Sequence, residues 1–216
     1  MLKLYSYWRS TASFRVRVAL NIKRLSYSIL PVHLVKDGGE QHKPEYSEKN
    51  PQELVPLLDD NGKILSQSMA ICEYLEDAFD GPNLLPSEPF LRAKVRSVCQ
   101  VIACDIHPLD NLRVLKYLKG ELKVSDEQKL TWYAHWIHEG FKALESTLVE
   151  YKEQGPFCFG EELTLADVFL VSQLYNARRF EVSLDDYPRL VAIEQHCLSL
   201  DAFKDAHPDS QPDAVS

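Results

Sequence analysis

The apolar residues of this chain change their period once, and that change constrains the fold more than any other feature. Up to about residue 79 strand-like and helix-like stretches alternate; beyond Pro86-Ser87 apolar residues recur only at three- and four-residue steps. Leu2-Lys3-Leu4-Tyr5 alternates as a short strand should, Phe14, Val16, Val18, Ala19 and Leu20 read as a buried helix, and residues 25–32 as a second strand. Strand, helix and strand within about thirty residues predict a parallel pair with a right-handed crossover. Residues 33–48 are polar, contain Gly38-Gly39 and read as a loop with a helical turn near Pro44-Glu45. After a turn at Asn50-Pro51, Val55-Pro56-Leu57-Leu58 and Lys63-Ile64-Leu65 flank Asp60-Asn61-Gly62 as a hairpin. Ser66-Gln67-Ser68 opens a helix whose apolar face is Ile71, Leu75 and Ala78.

This βαβ–ββα order resembles thioredoxin, so the expected fold class is α/β and thioredoxin-like at the N-terminus and all-α beyond it. The expected domains are 1–81 and 88–216, with residues 82–87 as linker. In the second, Leu91, Val95, Val98, Ile102, Ile106, Leu109 and Leu112 predict one long amphipathic helix over 88–118, kinked at Pro108. Further helices are expected over about 126–151, with Trp132, Trp136, Leu144 and Leu148 on one side, then over 164–180 and 187–200. Thr164-Leu165-Ala166-Asp167 fits a capping box, a structural role. The tail from His207, with Pro208 and Pro212, reads as loosely ordered.

The strand-to-helix junction carries the chemistry. Ser10, Thr11 and Ser13 cluster where the first helix begins, and a helix N-terminus presents unpaired N–H groups and a positive dipole end to an anion such as a thiolate. The same hydroxyls serve as ordinary helix caps, and the sequence leaves both readings open. Residues 1–24 hold six Lys/Arg and no acid, within a chain of 216 residues whose net charge is −8. That contrast excludes nucleic acid as a partner and favours a small anionic ligand. No signal segment or apolar run of membrane length is present, and the five scattered cysteines, without a Cys-x-x-Cys, point to reduced thiols rather than a disulfide framework. His135 and His138 lack a third ligand at metal spacing, so no metal is expected.

The segments YSYWRSTASFRVRVAL, HLVKDGGEQ, NPQELVP, QSMAICEYLE, IHPLDNLRVL and NARRF, spread in order from residue 5 to residue 180, together resemble the zeta class of cytosolic glutathione transferases, the class of maleylacetoacetate isomerases. The resemblance implies glutathione as cofactor, a cytoplasmic homodimer, a cis proline at Pro56, and glutathione-dependent cis–trans isomerisation of a small anionic substrate. It implies that Ser10 holds the thiolate with Thr11 and Ala12 as secondary donors, and that Arg15, Gln41, Val55, Gln67, Ser68, His107, Asn111 and Arg113 border glutathione. Arg9, His107 and Arg179 would meet the carboxylates of the substrate, guanidinium being a bidentate match; Arg178, about 100° away on the helix, would be a solvated or ion-paired surface residue instead. Where the class runs Ser-Ser-Cys after the arginine, this chain has Ser10-Thr11-Ala12, which supports no mixed disulfide at that position. Alternatives within the resemblance are maleylpyruvate isomerisation and general transferase activity, and outside it a binding protein without catalysis.

Overall fold

Leu2 and Leu4 are buried and Lys3 between them is exposed, the pattern of a half-buried strand, and Leu2–Ser6 forms β1. The computed structural model describes residues 1–152 and 154–214. β1 leads through Ser10 into α1 (Thr11–Ile22) and on to β2 (Tyr27–Pro31), which pairs in parallel with β1. After 3₁₀ turns at Lys36–Gly38 and Glu40–His42 and a short α2 (Pro44–Ser47), β3 (Leu57–Asp60) and β4 (Lys63–Ser66) form the hairpin, and α3 (Ser68–Ala78) follows. Asn61 and Gly62, at φ 51° and 90°, make the left-handed pair that a two-residue hairpin needs. Among the described residues the sheet order is β2-β1-β3-β4, with β3 antiparallel to both neighbours.

Two compact units result: Met1–Leu84 together with the chain from Leu198 on, and Leu85–Cys197. The expected helical domain running to 216 is therefore corrected at its end. Residues 201–206 form α9 (Asp201–Ala206), which packs on α1 with Phe203 and Ala206 buried. Arg17 Nε donates to the Ala206 carbonyl at 2.9 Å and Asn21 Nδ2 to that of Ala202 at 3.1 Å. The tail is likewise not loose through residue 214. Pro208–Ser210 makes a 3₁₀ turn, and buried Gln211 donates through Nε2 to the carbonyls of Asp205 and His207, both at 2.9 Å.

The helical unit comprises α4 (Pro89–Gln100), α5 (Leu112–Gly120), α6 (Asp126–Val149), α7 (Leu165–Arg179) and α8 (Pro188–Leu198). Every residue of α7 from Leu165 to Leu174 is buried, so this helix, enclosed around its circumference with Asp167, Ser172 and Gln173 among its buried residues, is the unit's centre. The single helix expected over 88–118 is instead broken. α4 ends at Gln100, residues Val101–Ile106 continue as a π-helix, and α5 starts afresh at Leu112 under the Asn111 cap. On α6 the buried stripe is Tyr133, Ile137, Phe141, Leu144 and Leu148, with Trp132 and Trp136 on its flank rather than at its centre. Asp167 closes the capping box: its carboxylate accepts from the Thr164 N–H at 2.8 Å, the Thr164 hydroxyl at 3.0 Å and the Cys158 N–H at 2.6 Å. The helix expected over 187–200 spans Pro188–Leu198, and Leu200 is the N-cap of α9.

Candidate functional site

In the N-terminal unit Ser10 is the N-cap of α1, half-buried in extended conformation (φ −70°, ψ 114°). Its Oγ accepts the Ser13 N–H at 3.2 Å and its own N–H donates to the Tyr7 carbonyl at 2.9 Å. Capping and chemistry are therefore compatible: a hydroxyl oxygen that accepts one hydrogen bond still has its proton to donate. Thr11 and Ala12, both buried, supply first-turn amides that no helical carbonyl can accept. Arg9 is exposed, its guanidinium 4.1 Å from the centre of the buried Trp8 ring.

Trp8 belongs to a cluster with Tyr7, Val32, Tyr46, Val55 and Leu57, which sets Val55 close to the Ser10 junction. The Val55-Pro56 bond is cis, and Val55 precedes the first paired residue of β3, so its N–H and C=O stand outside the ladder. Gln67, exposed, occupies φ 72° and ψ 117°, a region costly for a residue with a Cβ, and its amide Nε2 donates to Gln52 Oε1 at 2.8 Å. Ser68 is the first residue of α3, and Arg15 Nη1 donates to its Oγ at 3.3 Å. Arg15 is 1 % exposed, so its reach toward a ligand runs through Ser68. Gln41 is buried against Gly39, where a Cβ would stand 2.5 Å from the Gln41 amide; its Nε2 donates to Leu34, while Oε1 has no partner among the described residues.

The N-terminal excess of cations divides on inspection. Arg15 and Arg17 are buried, and buried Lys23 pairs with Glu76 at 3.2 Å, so these three hold the unit together. Arg9 is the cation left exposed beside Ser10, which corrects the inference from the whole run.

In the helical unit His107 follows the π-helix, its N–H donating to Ile102 at 2.9 Å. Asn111 caps α5 by accepting the Arg113 N–H at 3.1 Å, and its Nδ2 lies 3.5 Å from His107 Nε2. Arg113 is exposed. Trp132 Nε1 donates to the Leu109 carbonyl at 2.9 Å, fixing the connection that carries these groups. Arg179 ends α7 exposed, 4.9 Å from the centre of the Phe180 ring, and Phe180 stacks on Tyr133 at 3.8 Å. Arg178 is held by Glu194, Nε donating at 3.0 and 3.1 Å, whereas the neighbouring Arg179 has no ion pair among the described residues.

Three groups were not foreseen. Arg17 donates to Ser6 Oγ at 3.0 Å, the Trp8 carbonyl at 3.1 Å and Ala206; its only sequence signal is a charge at an apolar position of α1. The Asp213 carboxylate accepts the Trp8 N–H at 3.1 Å across 205 residues, which no local pattern announces. Asp110 is buried, with no partner for either carboxyl oxygen among the described residues, and burial pushes it up to about 8. Of the thiols, Cys104 is exposed and the other four are buried; burial raises Cys72 to about 12. His138 Nδ1 shares a hydrogen bond with the Tyr187 hydroxyl at 2.8 Å, and among the described residues no group of three or more His, Cys, Asp or Glu could hold a metal. No helix is long and apolar enough to cross a membrane among those residues.

Known proteins share this architecture. Residues 1–77 match the family model described as glutathione S-transferase, N-terminal domain, and residues 132–193 the corresponding C-terminal domain. A probable maleylacetoacetate isomerase of Vibrio cholerae is 48% identical, covering 99% of this chain and 98% of its own. A solved holo structure of a maleylpyruvate isomerase, described as a bacterial glutathione S-transferase of the zeta class, superimposes with a TM-score of 0.96 at 43% identity over 99% of this chain and 100% of that one. A maleylacetoacetate isomerase from Methylobacterium extorquens, solved with malonate and glutathione bound, gives a TM-score of 0.95 at 40% identity over 99% and 100%. The chain belongs to the glutathione transferase family, in its zeta class.

Proposed function

We propose that this protein isomerises maleylacetoacetate to fumarylacetoacetate with glutathione as cofactor. The observation that carries the reading is Ser10: a helix N-cap whose oxygen accepts the Ser13 N–H and whose own proton remains to be donated. The donor set fits a thiol peptide. Ser10 gives its hydroxyl proton to the sulfur as a hydrogen bond, and the α1 dipole with the amides of Thr11 and Ala12 favours the thiolate over the thiol. Val55 offers a backbone N–H and C=O that stand outside the ladder to an extended peptide, strand against strand. Gln67 and Ser68, the latter braced by Arg15, receive the γ-glutamyl end at the start of α3. Gln41 Oε1, His107, Asn111 and Arg113 complete the glutathione contacts, and Arg9, His107 and Arg179 bind the substrate's carboxylates.

Glutathione, when bound, supplies a thiolate that adds to the cis double bond, so that the bond rotates as a single bond before the thiolate leaves. The chain's own residues keep that sulfur ionised, fix both carboxylates through the rotation, and offset the negative charge on the substrate's ketone oxygen with hydrogen-bond donors. A cytoplasmic homodimer, as in the class, is part of the proposal, and size-exclusion chromatography with light scattering tests the dimer.

The deciding experiment is spectrophotometric turnover of maleylacetoacetate and maleylpyruvate by wild type and Ser10→Ala, with and without glutathione. Glutathione-dependent loss of maleylacetoacetate, reduced by about 10²-fold or more in Ser10→Ala with an unchanged circular dichroism spectrum, is expected. Preference for maleylpyruvate moves the substrate and keeps the mechanism; the likeness to the zeta-class maleylpyruvate isomerase makes this the second reading. No turnover of either, with conjugation of aryl halides, makes it a general transferase. Failure to bind glutathione at all leaves a binding protein and overturns the reading.

A further inference from the structure

The backbone at Trp8 is held from one side by α1 and from the other by the far end of the chain. Its carbonyl accepts from Arg17 Nη2 at 3.1 Å, and Arg17 Nε donates in turn to Ala206 in α9 at 2.9 Å. Its N–H donates to Asp213 Oδ2 at 3.1 Å. Between those two anchors the tail is tied back on itself, since Gln211 Nε2 donates to Asp205 and His207, each at 2.9 Å. His207 also packs edge-on against Phe14 of α1, with ring centroids 5.9 Å apart. Beyond Asp213, Ala214 packs on the cluster that contains Tyr7, Trp8 and Val55. A closed circuit of hydrogen bonds therefore runs from α9 through Arg17 to Trp8, and from Trp8 through Asp213 and the tail back to α9.

Trp8 is two residues before Ser10 and carries Arg9 over its ring, and the Ser10 N–H closes the same turn onto the Tyr7 carbonyl at 2.9 Å. We infer that Asp213 is a positioning residue: its carboxylate, by holding the Trp8 N–H, fixes the turn that aims the Ser10 hydroxyl and the Arg9 guanidinium at their ligands. The inference rests on the role proposed for Ser10. Its force lies in geometry, because donor placement governs how well a hydroxyl stabilises a thiolate.

The sign of the effect separates positioning from charge. Removing a nearby negative charge by itself favours the thiolate and lowers the thiol's pKa; loosening the turn disfavours the thiolate and raises it. The test titrates enzyme-bound glutathione by thiolate absorbance in wild type, Ser10→Ala, Asp213→Ala and Asp213→Asn, beside thermal midpoints. Asp213→Ala is expected to reduce the bound thiolate at neutral pH by about three- to tenfold. Asp213→Asn, which keeps a carbonyl acceptor for the Trp8 N–H and removes only the charge, is expected to titrate at or slightly below the wild-type pKa. Asp213→Ala leaving the titration unmoved, or shifting it downward, while Ser10→Ala raises it, overturns the positioning role and leaves Ser10 in place; no shift in Ser10→Ala removes the Ser10 reading itself. Amide hydrogen exchange in the wild type gives a check independent of any variant: the Trp8 N–H is expected to be protected, and exchange at the rate of an open loop overturns the inference.

Discussion

Asp110 offers a quantitative test of the helical unit. It is 5 % exposed, neither carboxyl oxygen has a partner among the described residues, and burial raises it from an ordinary 3.8 to about 8. A carboxyl whose folded pKa is raised keeps its proton in the native state after the unfolded chain has released it. Its contribution to stability is then fully present below about pH 4 and is lost progressively as pH rises to about 8. Across the window from 3.8 to about 8, at about 1.4 kcal/mol per pH unit, the loss is on the order of 5 kcal/mol. Asp110→Asn keeps the size and removes the proton equilibrium. Urea unfolding of both proteins at steps from about pH 5 to pH 8 should show the variant gaining on the wild type by about 1.4 kcal/mol per pH unit. A difference that does not change with pH would mean that the native carboxylate is solvated or paired, and the reasoning from burial would fail.

Asp167→Ala strands two buried N–H groups and a hydroxyl, so the helical unit should lose about 3–5 kcal/mol, read as a lower urea midpoint with the largest effect on the α6 and α7 amides. Gly140→Ala places a Cβ 2.2 Å from Ile106 Cδ1 at the end of the π-helix, and overpacking there should cost about 1–3 kcal/mol in thermal unfolding, with altered exchange at His107. A chromogenic disulfide reagent on the native protein should titrate Cys104 fast and leave Cys72, Cys99, Cys158 and Cys197 unreacted until denaturant is added.

The N-terminal half was legible because its signals are local. Period-two and helical stretches alternate, Asn61-Gly62 names its turn, and Thr164 with Asp167 does the same for α7 in the helical unit. The break in the 88–118 helix was half legible. Pro108 announces a disturbance, but buried Val98, Ile102 and Ile106 keep a four-residue step through residues 101–106, so the sequence reads there as ordinary helix, and Asn111 carries a cap for α5 that its place in the motif does not show. Arg15, Arg17 and Lys23 look in the sequence like one electrostatic field with Arg9, although burial assigns them to internal bonds; a net charge carries no information about which guanidinium faces water. The ordering of the tail was invisible, since Asp213 and Ala214 find their partners near residue 8 and nothing between them has a regular spacing.

The assignment of residues 198 onward to the first unit has a consequence for how the protein is made. The sheet and α1–α3 leave the ribosome before the helical unit, yet the segment that covers α1 and grips Trp8 is synthesised after Cys197. At about 5–20 residues per second, roughly 6–26 s separate the emergence of Leu84 from that of Asp213. During that interval the buried guanidinium of Arg17 lacks its α9 carbonyl, and the apolar face that receives Phe203 stands open. The first unit to be translated is therefore the last to be completed, and the nascent chain carries an exposed helix face for as long as it takes to build the helical unit in between.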